Sequence, residues 1–487
     1  MSLHQSAFAL FVAVNSLTAS SLPNAPEFRR SGSSGLVNIF PDAGTDGSRG
    51  SLHVFREESP GLFDLEKGER ITSTATHEVT FMVKLNNMEE LTRIFHDVSD
   101  PDSKNYGNHM TQKEVNDLTS NADSVAEVVA YLKAAGATIT PQKVLGDCVS
   151  AEATIHLWER MFDTEFHSYS TKNLNAFYGI EANSAAEVNL VRTERYSIPW
   201  ELNEHVASVI NTIQPPFMSD PRVPPVVHTF NRPSDSSRFS EETALYRGYT
   251  TPQLVTNAYF ADDISGHPRA TQAAFEGFGQ VFSPLDVLAI QKRLALTVMA
   301  ANRTVAAQVR TPEECKLDLS MCVESTADIA LMISMSNTPT YHYYSEVNTF
   351  GLFVQETVNK PETPPLVISI SYSTPEFHQS VEEIALFNSN AMKLGVMGTT
   401  IFVSSGDDGV ANHYARSGAT WNCGYKPKHP ASSPYVTSVG ATQVRTERQP
   451  ERHTYNYKCF LASAWIGTQS SLPICEAIGC RLVASSN

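Results

Sequence analysis

Residues Thr399–Gly409 read T-T-I-F-V-S-S-G-D-D-G, an apolar, β-branched run that ends in a glycine-flanked acid. Such runs are typical of strands in a buried parallel sheet, and ligands collect at the carboxyl ends of those strands. Asp407 directly follows the run, between Gly406 and Asp408. The pattern therefore predicts a strand that presents Asp407 at a binding edge. A turn in which the aspartate bonds its own backbone is the alternative.

The residues that precede this strand predict how the sheet is connected. Leu366–Tyr372 (L-V-I-S-I-S-Y) reads as a second buried strand, and Val381–Leu394 has the apolar spacing of a helix. A strand, a helix and a strand in this order imply a parallel pair with a right-handed crossover. We therefore expect an α/β fold with a doubly wound parallel sheet in this half of the chain.

A separate α+β unit is predicted upstream. Thr76–Leu85 alternates like a strand, and Met88–Val98 and Ala122–Ala135 have helical periodicity. The proline-rich segment Ile213–Arg238 is typical of an exposed linker that is open to proteolytic cleavage. The apolar stretch Ala7–Val14, followed by small residues, reads as a secretory signal. The predicted divisions are a signal peptide at 1–20, a flexible extension at 21–70, the α+β unit at 71–200, a linker with a processing site at 201–245, the α/β domain at 246–443 and a divergent tail at 444–487.

Composition excludes some classes of function. The 487 residues contain 52 Asp and Glu against 36 Lys and Arg, which gives a formal net charge of −16. Nucleic-acid binding requires a basic face, so we expect no nucleic-acid partner. No apolar run has the length of a membrane span. The seven cysteines lack paired C-x-x-C spacing, which argues against zinc, and in a secreted protein some of them would form disulfides whose pairing stays open.

Two pairs of acids share a four-residue spacing. The stretch T-P-E-E-C-K-L-D opens a helix-like segment that continues to Ile333, and Glu314 and Asp318 lie on one face of it. Neighbouring carboxyls tune each other's pKa, which suits acid–base chemistry. The alternative is a solvated acidic turn at a helix start, where acids favour the helix dipole. Glu324 and Asp328 repeat the spacing further along, so the spacing alone is not specific.

Several motifs together point to one family. They are V-S-D-P-D-S-K-N-Y-G at Val98–Gly107, T-P-Q-L at Thr251–Leu254, the acids of Glu314-x-x-Leu317-Asp318, the strand Leu366–Tyr372, S-G-D-D-G at Ser405–Gly409 and P-A-S-S-P-Y-V-T-S-V-G-A-T at Pro430–Thr442. With these motifs the chain resembles the sedolisins, the serine-carboxyl peptidases, and most closely the precursors of their lysosomal-type tripeptidyl peptidase branch. The resemblance implies a ferredoxin-like α+β activation prodomain followed by a subtilisin-like peptidase domain.

The resemblance also implies roles for three acids. Glu314 would be the base that activates a serine hydroxyl, Asp318 would orient it, and Asp407, protonated in acid, would donate a hydrogen bond to the oxyanion. A histidine base would be protonated in acid, whereas a carboxyl pair keeps a usable base there, so we expect an acidic working pH. The family further implies calcium as a cofactor, peptide or protein substrates, an intramolecular prodomain as partner, and a secreted or lysosomal–vacuolar location.

The family's nucleophile motif, G-T-S-A-x-x-P, does not occur in the chain. Gly467–Pro473 (G-T-Q-S-S-L-P) echoes it, with Gln469 in the place of the serine. The ligands of the family's C-terminal calcium site are absent as well. We therefore expect a C-terminally truncated peptidase domain and an inactive chain, which corresponds to an incomplete or mis-spliced gene model of an ordinary peptidase. A non-catalytic peptide-binding or inhibitory protein is the alternative.

Overall fold

Two units, each built around its own main sheet, make up the described part of the computed structural model: an N-terminal unit within residues 53–214 and a C-terminal unit within residues 252–440. The structure describes residues 53–59, 65–170, 189–214, 252, 255, 259, 266, 267, 270–277, 281–294, 296, 301–305, 311–317, 322–336, 338–344, 349–360, 363–406 and 426–440. Within these ranges no helix combines the length and apolar character that a membrane crossing needs.

The N-terminal unit mixes short strands with four α-helices. Its elements are β1 (His53–Glu58), β2 (Glu66–Arg70), β3 (Thr76–Val83), α1 (Met88–Ser99), α2 (Gln112–Thr119), α3 (Ala122–Ala135), β4 (Thr138–Val144), β5 (Cys148–Thr154), α4 (Ile155–Phe162), β6 (His167–Ser170), β7 (Asn189–Arg192), β8 (Arg195–Pro199), the 3₁₀ turn Trp200–Leu202 and β9 (Val206–Ile210).

Its main sheet is antiparallel, with the strand order β4–β5–β3–β9. Helices α3 and α4 pack on this sheet through a core that includes Phe81, Val128 and Trp158. Helix α3 begins after Asn121, whose side chain caps it, and ends at Gly136, whose φ of +94° favours glycine. The strand and helices predicted for this region are confirmed as β3, α1 and α3. The ferredoxin-like description of the unit stays a prediction.

Three strands of this unit, β1, β2 and β9, lie outside its predicted limits. Strand β9 follows the predicted end at residue 200, and it belongs to the main sheet because it pairs with β3, Phe81 opposite Val209. Strand β1 falls in the predicted flexible extension, and it pairs with β8, Val54 opposite Ile198. Long-range pairing of this kind leaves no local signal, so the sequence pattern placed the limits too narrowly.

The C-terminal unit contains five α-helices and eight strands among its described residues. They are β10 (Gln272–Glu276), α5 (Pro284–Arg293), β11 (Asn302–Val305), α6 (Pro312–Leu317), α7 (Val323–Ser336), β12 (Thr340–Tyr344), α8 (Phe350–Asn359), β13 (Val367–Ile370), β14 (Thr374–Pro375), α9 (Val381–Val396), β15 (Thr400–Ser404), β16 (Lys428–His429) and β17 (Thr437–Val439), with a 3₁₀ turn at Glu376–His378.

Six of these strands form a parallel sheet in the order β11–β12–β10–β13–β15–β17. Strand β13, helix α9 and strand β15 form the predicted strand–helix–strand unit, with Ile368 opposite Ile401. Helices cover both faces, because Phe275 of β10 packs toward α8 and α9 while Ala274 packs toward α5 and α7. The predicted α/β fold with a parallel sheet is confirmed. Its subtilisin-like character and its truncation stay predictions.

The helix-like segment predicted to run on to Ile333 is two helices, α6 and α7, and the expectation of one continuous element is wrong. A disulfide bond joins Cys315 in α6 to Cys322 just before α7, with a Cα–Cα distance of 5.6 Å. Residues seven apart in one continuous helix would lie roughly 10 Å apart along its axis, so Cys315 and Cys322 do not lie on one continuous helix. One disulfide pair that the sequence left open is thereby assigned.

The two units pack against each other through α1 and α9. Leu91 of α1 lies in one apolar cluster with Met392 and Val396 of α9. Beside this cluster, Asp147 and Lys393 form an ion pair of 3.1 Å between side chains that are only 5% and 2% exposed. Breaking a buried pair by removing one partner is costly, because the remaining charge stays desolvated. The N-terminal unit is therefore docked on helix α9 and not merely tethered to it.

Candidate active site

Three neighbouring strands of the parallel sheet end in polar residues. Glu276 is the last residue of β10, Ser371 and Tyr372 follow β13, and Gly406 follows β15 two residues after Ser404. Parallel strands bring their carboxyl ends to one edge of the sheet, which is where α/β proteins bind ligands. Glu276, Ser371 and Tyr372 therefore lie at the sheet edge that the sequence predicted from Asp407.

Glu276 is a fully buried carboxyl at this edge. Its Oε2 accepts hydrogen bonds from Ser325 Oγ and from the Tyr372 hydroxyl, both at 2.7 Å. Its Oε1 is enclosed as well, with no hydrogen-bond partner among the described side chains. Burial raises the pKa of Glu276 well above its ordinary value, and the nearby charge of Asp328 raises it further. Burial of Glu276 therefore favours its neutral, protonated form.

Asp328 lies on helix α7, one turn after Glu324, so both carboxyls face the same side of the helix. Although the residue is partly exposed, its Oδ2 is shielded from solvent. Burial, followed by the charge of Glu324, raises the pKa of Asp328 to about 7, while a hydrogen bond with the Ser371 side chain lowers it in part. A carboxyl whose pKa is shifted this far can hold or release a proton near neutral pH, which is typical of acid–base sites.

Glu314, the described member of the acid pair that was predicted from the sequence, has different surroundings from Asp328. Glu314 is exposed, and its Oε2 accepts hydrogen bonds from the Thr311 amide at 2.7 Å and from the Thr311 hydroxyl at 3.0 Å. The Thr311 hydroxyl in turn accepts from the Glu314 amide at 3.3 Å, which completes a capping box at the start of α6. Asp318 and Asp407 lie outside the described residues. The roles predicted for Glu314, Asp318 and Asp407 stay predictions.

A buried lysine lies beside the end of β15. Lys428 is 6% exposed, and its Nζ would be 2.8 Å from a Cβ atom on Gly406. Gly406 also has a φ of +89°, so glycine is required there both by the backbone and by the lysine. Burial lowers the pKa of Lys428 to about 8. The edge therefore carries a cationic group close to the residue that precedes Asp407 in the sequence.

Sequence reasoning missed most of this arrangement. The four-residue spacing of Glu324 and Asp328 is visible in the sequence. It does not single out this pair, because Glu314 and Asp318 have the same spacing. Glu276 follows the apolar run Q-A-A-F, so the rule that singled out Asp407, an acid at a strand end, could have found it. The strand Leu366–Tyr372 was among the motifs of the resemblance, but no pattern marked the Tyr372 hydroxyl or Lys428 individually.

Metal binding has no support in the described residues. Nowhere in the described ranges do three or more His, Cys, Asp or Glu side chains lie where they could share a metal ion. The carboxyls at the sheet edge are bonded to hydroxyl groups instead. The calcium expected from the resemblance stays a prediction, and no step of the chemistry below depends on it.

Comparisons with known proteins bear on this site. Residues 64–214 match the family described as "Pro-kumamolisin, activation domain". Physarolisin from Physarum polycephalum is 26% identical over 391 residues, which cover 76% of this chain and 61% of that protein. Tripeptidyl-peptidase 1 from Canis lupus familiaris is 27% identical over 392 residues, covering 77% of this chain and 63% of that protein. The same enzyme from Homo sapiens is 28% identical over 379 residues, covering 75% and 62%.

Among solved structures, a Pseudomonas sedolisin, described as a serine-carboxyl proteinase complexed with two molecules of pseudo-iodotyrostatin, aligns with part of this chain. It matches with a TM-score of 0.31 and 18% identity over 40% of this chain and 55% of that chain.

The sequence matches define a class of protein: a peptidase relative that carries an activation domain ahead of an α/β unit. The predicted resemblance to the sedolisin family is confirmed, with physarolisin and tripeptidyl-peptidase 1 as relatives. The chain spans about three fifths of the length of the relatives reported above.

Proposed function

We propose that the chain carries the activation domain and the acid pair of a sedolisin-type peptidase proenzyme, a class of enzyme that hydrolyses peptide bonds in acid, and that this acid pair is Glu324 and Asp328. The observation that carries this proposal is the enclosed carboxyl group of Asp328 at the carboxyl edge of the parallel sheet, with its pKa raised to about 7. The competing assignment to Glu314 and Asp318 rests on the resemblance of Glu314-x-x-Leu317-Asp318 to the family's motif, and Glu314 already has a capping role in α6.

The proposed chemistry follows from the environment of each carboxyl. A serine hydroxyl becomes a nucleophile when a neighbouring base removes its proton. We transfer the family roles to this pair because it has the same four-residue spacing. Glu324 takes the proton from the serine hydroxyl, and Asp328 orients Glu324 and holds a proton of its own. A hydrogen bond with the Ser371 side chain holds Asp328 at the sheet edge. Asp407 remains the proposed donor to the oxyanion, and Lys428 lies beside Gly406, the residue before it in the sequence.

The serine itself is not found in the family's motif within the 487 residues. We therefore propose that these residues alone do not hydrolyse peptides. A secretory route and a secreted or lysosomal location are proposed with the activity, because a carboxyl base is most useful in acidic compartments. The alternative is a protein that binds peptides or inhibits relatives without turnover. Such a protein would have the same fold but would not need a serine nucleophile.

The test compares two proteins: the 487-residue chain, and the product of the complete transcript that encodes it. Both are assayed at about pH 4 to 5 on peptides with free amino termini and on an unstructured protein. The proposal expects hydrolysis by the transcript product and none by the 487 residues. Peptide binding without turnover by both proteins would contradict it and favour the non-catalytic alternative. Cleavage products then distinguish tripeptide release from internal cutting.

A further inference from the structure

The start of helix α9 is capped by a side chain from the other unit. Glu57 of β1 accepts hydrogen bonds from the Val381 amide at 2.7 Å and from the Glu382 amide at 3.3 Å. These amides belong to the first turn of α9, where backbone donors have no acceptor within the helix. The helix's own cap, Ser380, accepts from the Glu383 amide. The N-terminal unit thus satisfies donors that α9 cannot satisfy by itself.

A second contact at the same place joins α9 to the core of the N-terminal unit. The Tyr196 hydroxyl donates to Glu382 Oε2 at 2.5 Å and accepts from the Val209 amide at 3.0 Å. Tyr196 is fully buried, so this hydroxyl has no access to water as a substitute. The phenol therefore bridges β9 and α9, and its bond to Glu382 exists only while the units are docked.

Few charges face this pair of carboxyls. Arg56 is the cation that acts on Glu382, and its own Nη2 donates to the Val206 carbonyl at 2.8 Å. Burial raises the pKa of Glu382 to about 8, and the neighbouring Glu57 adds to the rise, while Tyr196 and Arg56 oppose it. Burial also raises the pKa of Glu57, although the two amide bonds oppose the change. On α9 itself, the next acid, Glu383, faces Gly351 instead.

We propose that the contact of Glu57, Glu382 and Tyr196 is a pH-dependent latch, which holds the N-terminal unit on helix α9 more tightly in acid than at neutral pH. When the units separate, Glu382 returns to water and titrates near the ordinary carboxyl value of about 4.5. Between that pH and about 8, the docked form keeps a proton that the separated form loses, so docking strengthens as pH falls. Each proton taken up changes the docking constant by at most about tenfold per pH unit.

The latch separates acidification from undocking of the N-terminal unit, two events that a low working pH would otherwise combine. Acidification tightens this contact, so undocking in acid needs a different trigger, such as cleavage of the chain between the units. The latch is made of hydrogen bonds between the units, and none of its residues belongs to the candidate active site. A test of the latch is therefore independent of the proposed peptidase activity.

The test is hydrogen–deuterium exchange at the Val381 and Glu382 amides in the full chain, read by mass spectrometry and corrected for intrinsic exchange rates. We expect protection at least about tenfold greater at about pH 5 than at about pH 8. In Glu382→Gln the side chain stays neutral and keeps an acceptor for Tyr196, so protection should remain high and nearly constant with pH. Glu89→Gln, at an exposed carboxyl of α1, is the matched control and should keep the wild-type dependence.

Tyr196→Phe provides a second variant that keeps the buried ring but removes the bridging hydroxyl. It should lower protection at both pH values, with wild-type circular dichroism as the check on folding. Protection that is equal or greater at the higher pH would overturn the proposal. So would a wild-type pH dependence in Glu382→Gln.

Discussion

Glu314 and Asp328 each belong to an acid pair with four-residue spacing, but the surroundings of these two carboxyls differ. Glu314 on α6 is exposed and bonded to Thr311 in a capping box. Asp328 on α7 has an enclosed Oδ2 and a pKa raised to about 7. A four-residue spacing places two carboxyls on one helical face. Only a position against the sheet edge buries a carboxyl and raises its pKa, as it does for Asp328.

The largest expected effect concerns catalysis. In the complete transcript product, we expect Glu324→Gln and Asp328→Asn each to lower kcat/KM by at least about 100-fold, because each removes a carboxyl that the proposed proton transfer needs. Glu314→Gln should change kcat/KM by less than about twofold, since an exposed helix cap does not touch the substrate. Steady-state hydrolysis of a fluorogenic peptide measures all three variants. The reverse ranking would return the base to Glu314.

The second prediction concerns stability. Glu276→Ala should lower the free energy of unfolding by about 2 to 4 kcal/mol, because it leaves a cavity and two buried hydroxyls, those of Ser325 and Tyr372, without their acceptor. Glu276→Gln keeps an acceptor and should cost less than about 1 kcal/mol. Glu313→Ala, at an exposed site on α6, is the matched control, with an expected change within about 0.5 kcal/mol. Urea denaturation with a constant m-value tests this ranking, and equal losses at positions 276 and 313 would contradict it.

The third prediction concerns pH. The pKa of Asp328 is raised in the folded protein above 3.8, so the unfolded chain loses this proton at a lower pH than the native protein does. Stability should therefore fall as pH rises from about 4 to about 7. Asp328→Asn should remove about 1 to 2 kcal/mol of that change, as measured by urea denaturation at several pH values. An identical pH profile in the variant would show that Asp328 is not held protonated.

The fold was more predictable than the site, for physical reasons. The apolar runs at 366–372 and 399–404 and the helix between them carry their periodicity locally, and they became β13, β15 and α9. Glu276 and Tyr372 are distant in sequence and meet only because β10 and β13 pair in parallel. Burial of a carboxyl likewise depends on helix α7 covering one face of the sheet. These are tertiary effects, and a pattern of spacings does not contain them.

The smallest expected effect is on the α6 side of the comparison. Thr311→Ala removes one half of the capping box and should cost about 0.5 to 1 kcal/mol, through fraying of α6 alone. It should leave the titration of Asp328 unchanged, because the box contains no contact with α7. Thermal denaturation measures the loss. A change in the titration of Asp328 would show that the two helices are coupled through the disulfide.

Titration of Asp328 shows whether the carboxyl pair on α7 has the raised pKa of an acid–base site. Carbon-13 NMR of the side-chain carboxyl carbons in aspartate-labelled protein gives each midpoint, and Asp328→Asn assigns the signal by its disappearance. The account predicts one aspartate that titrates near pH 7 and is missing from the variant. A midpoint for Asp328 in the ordinary range around about 4 would contradict the account.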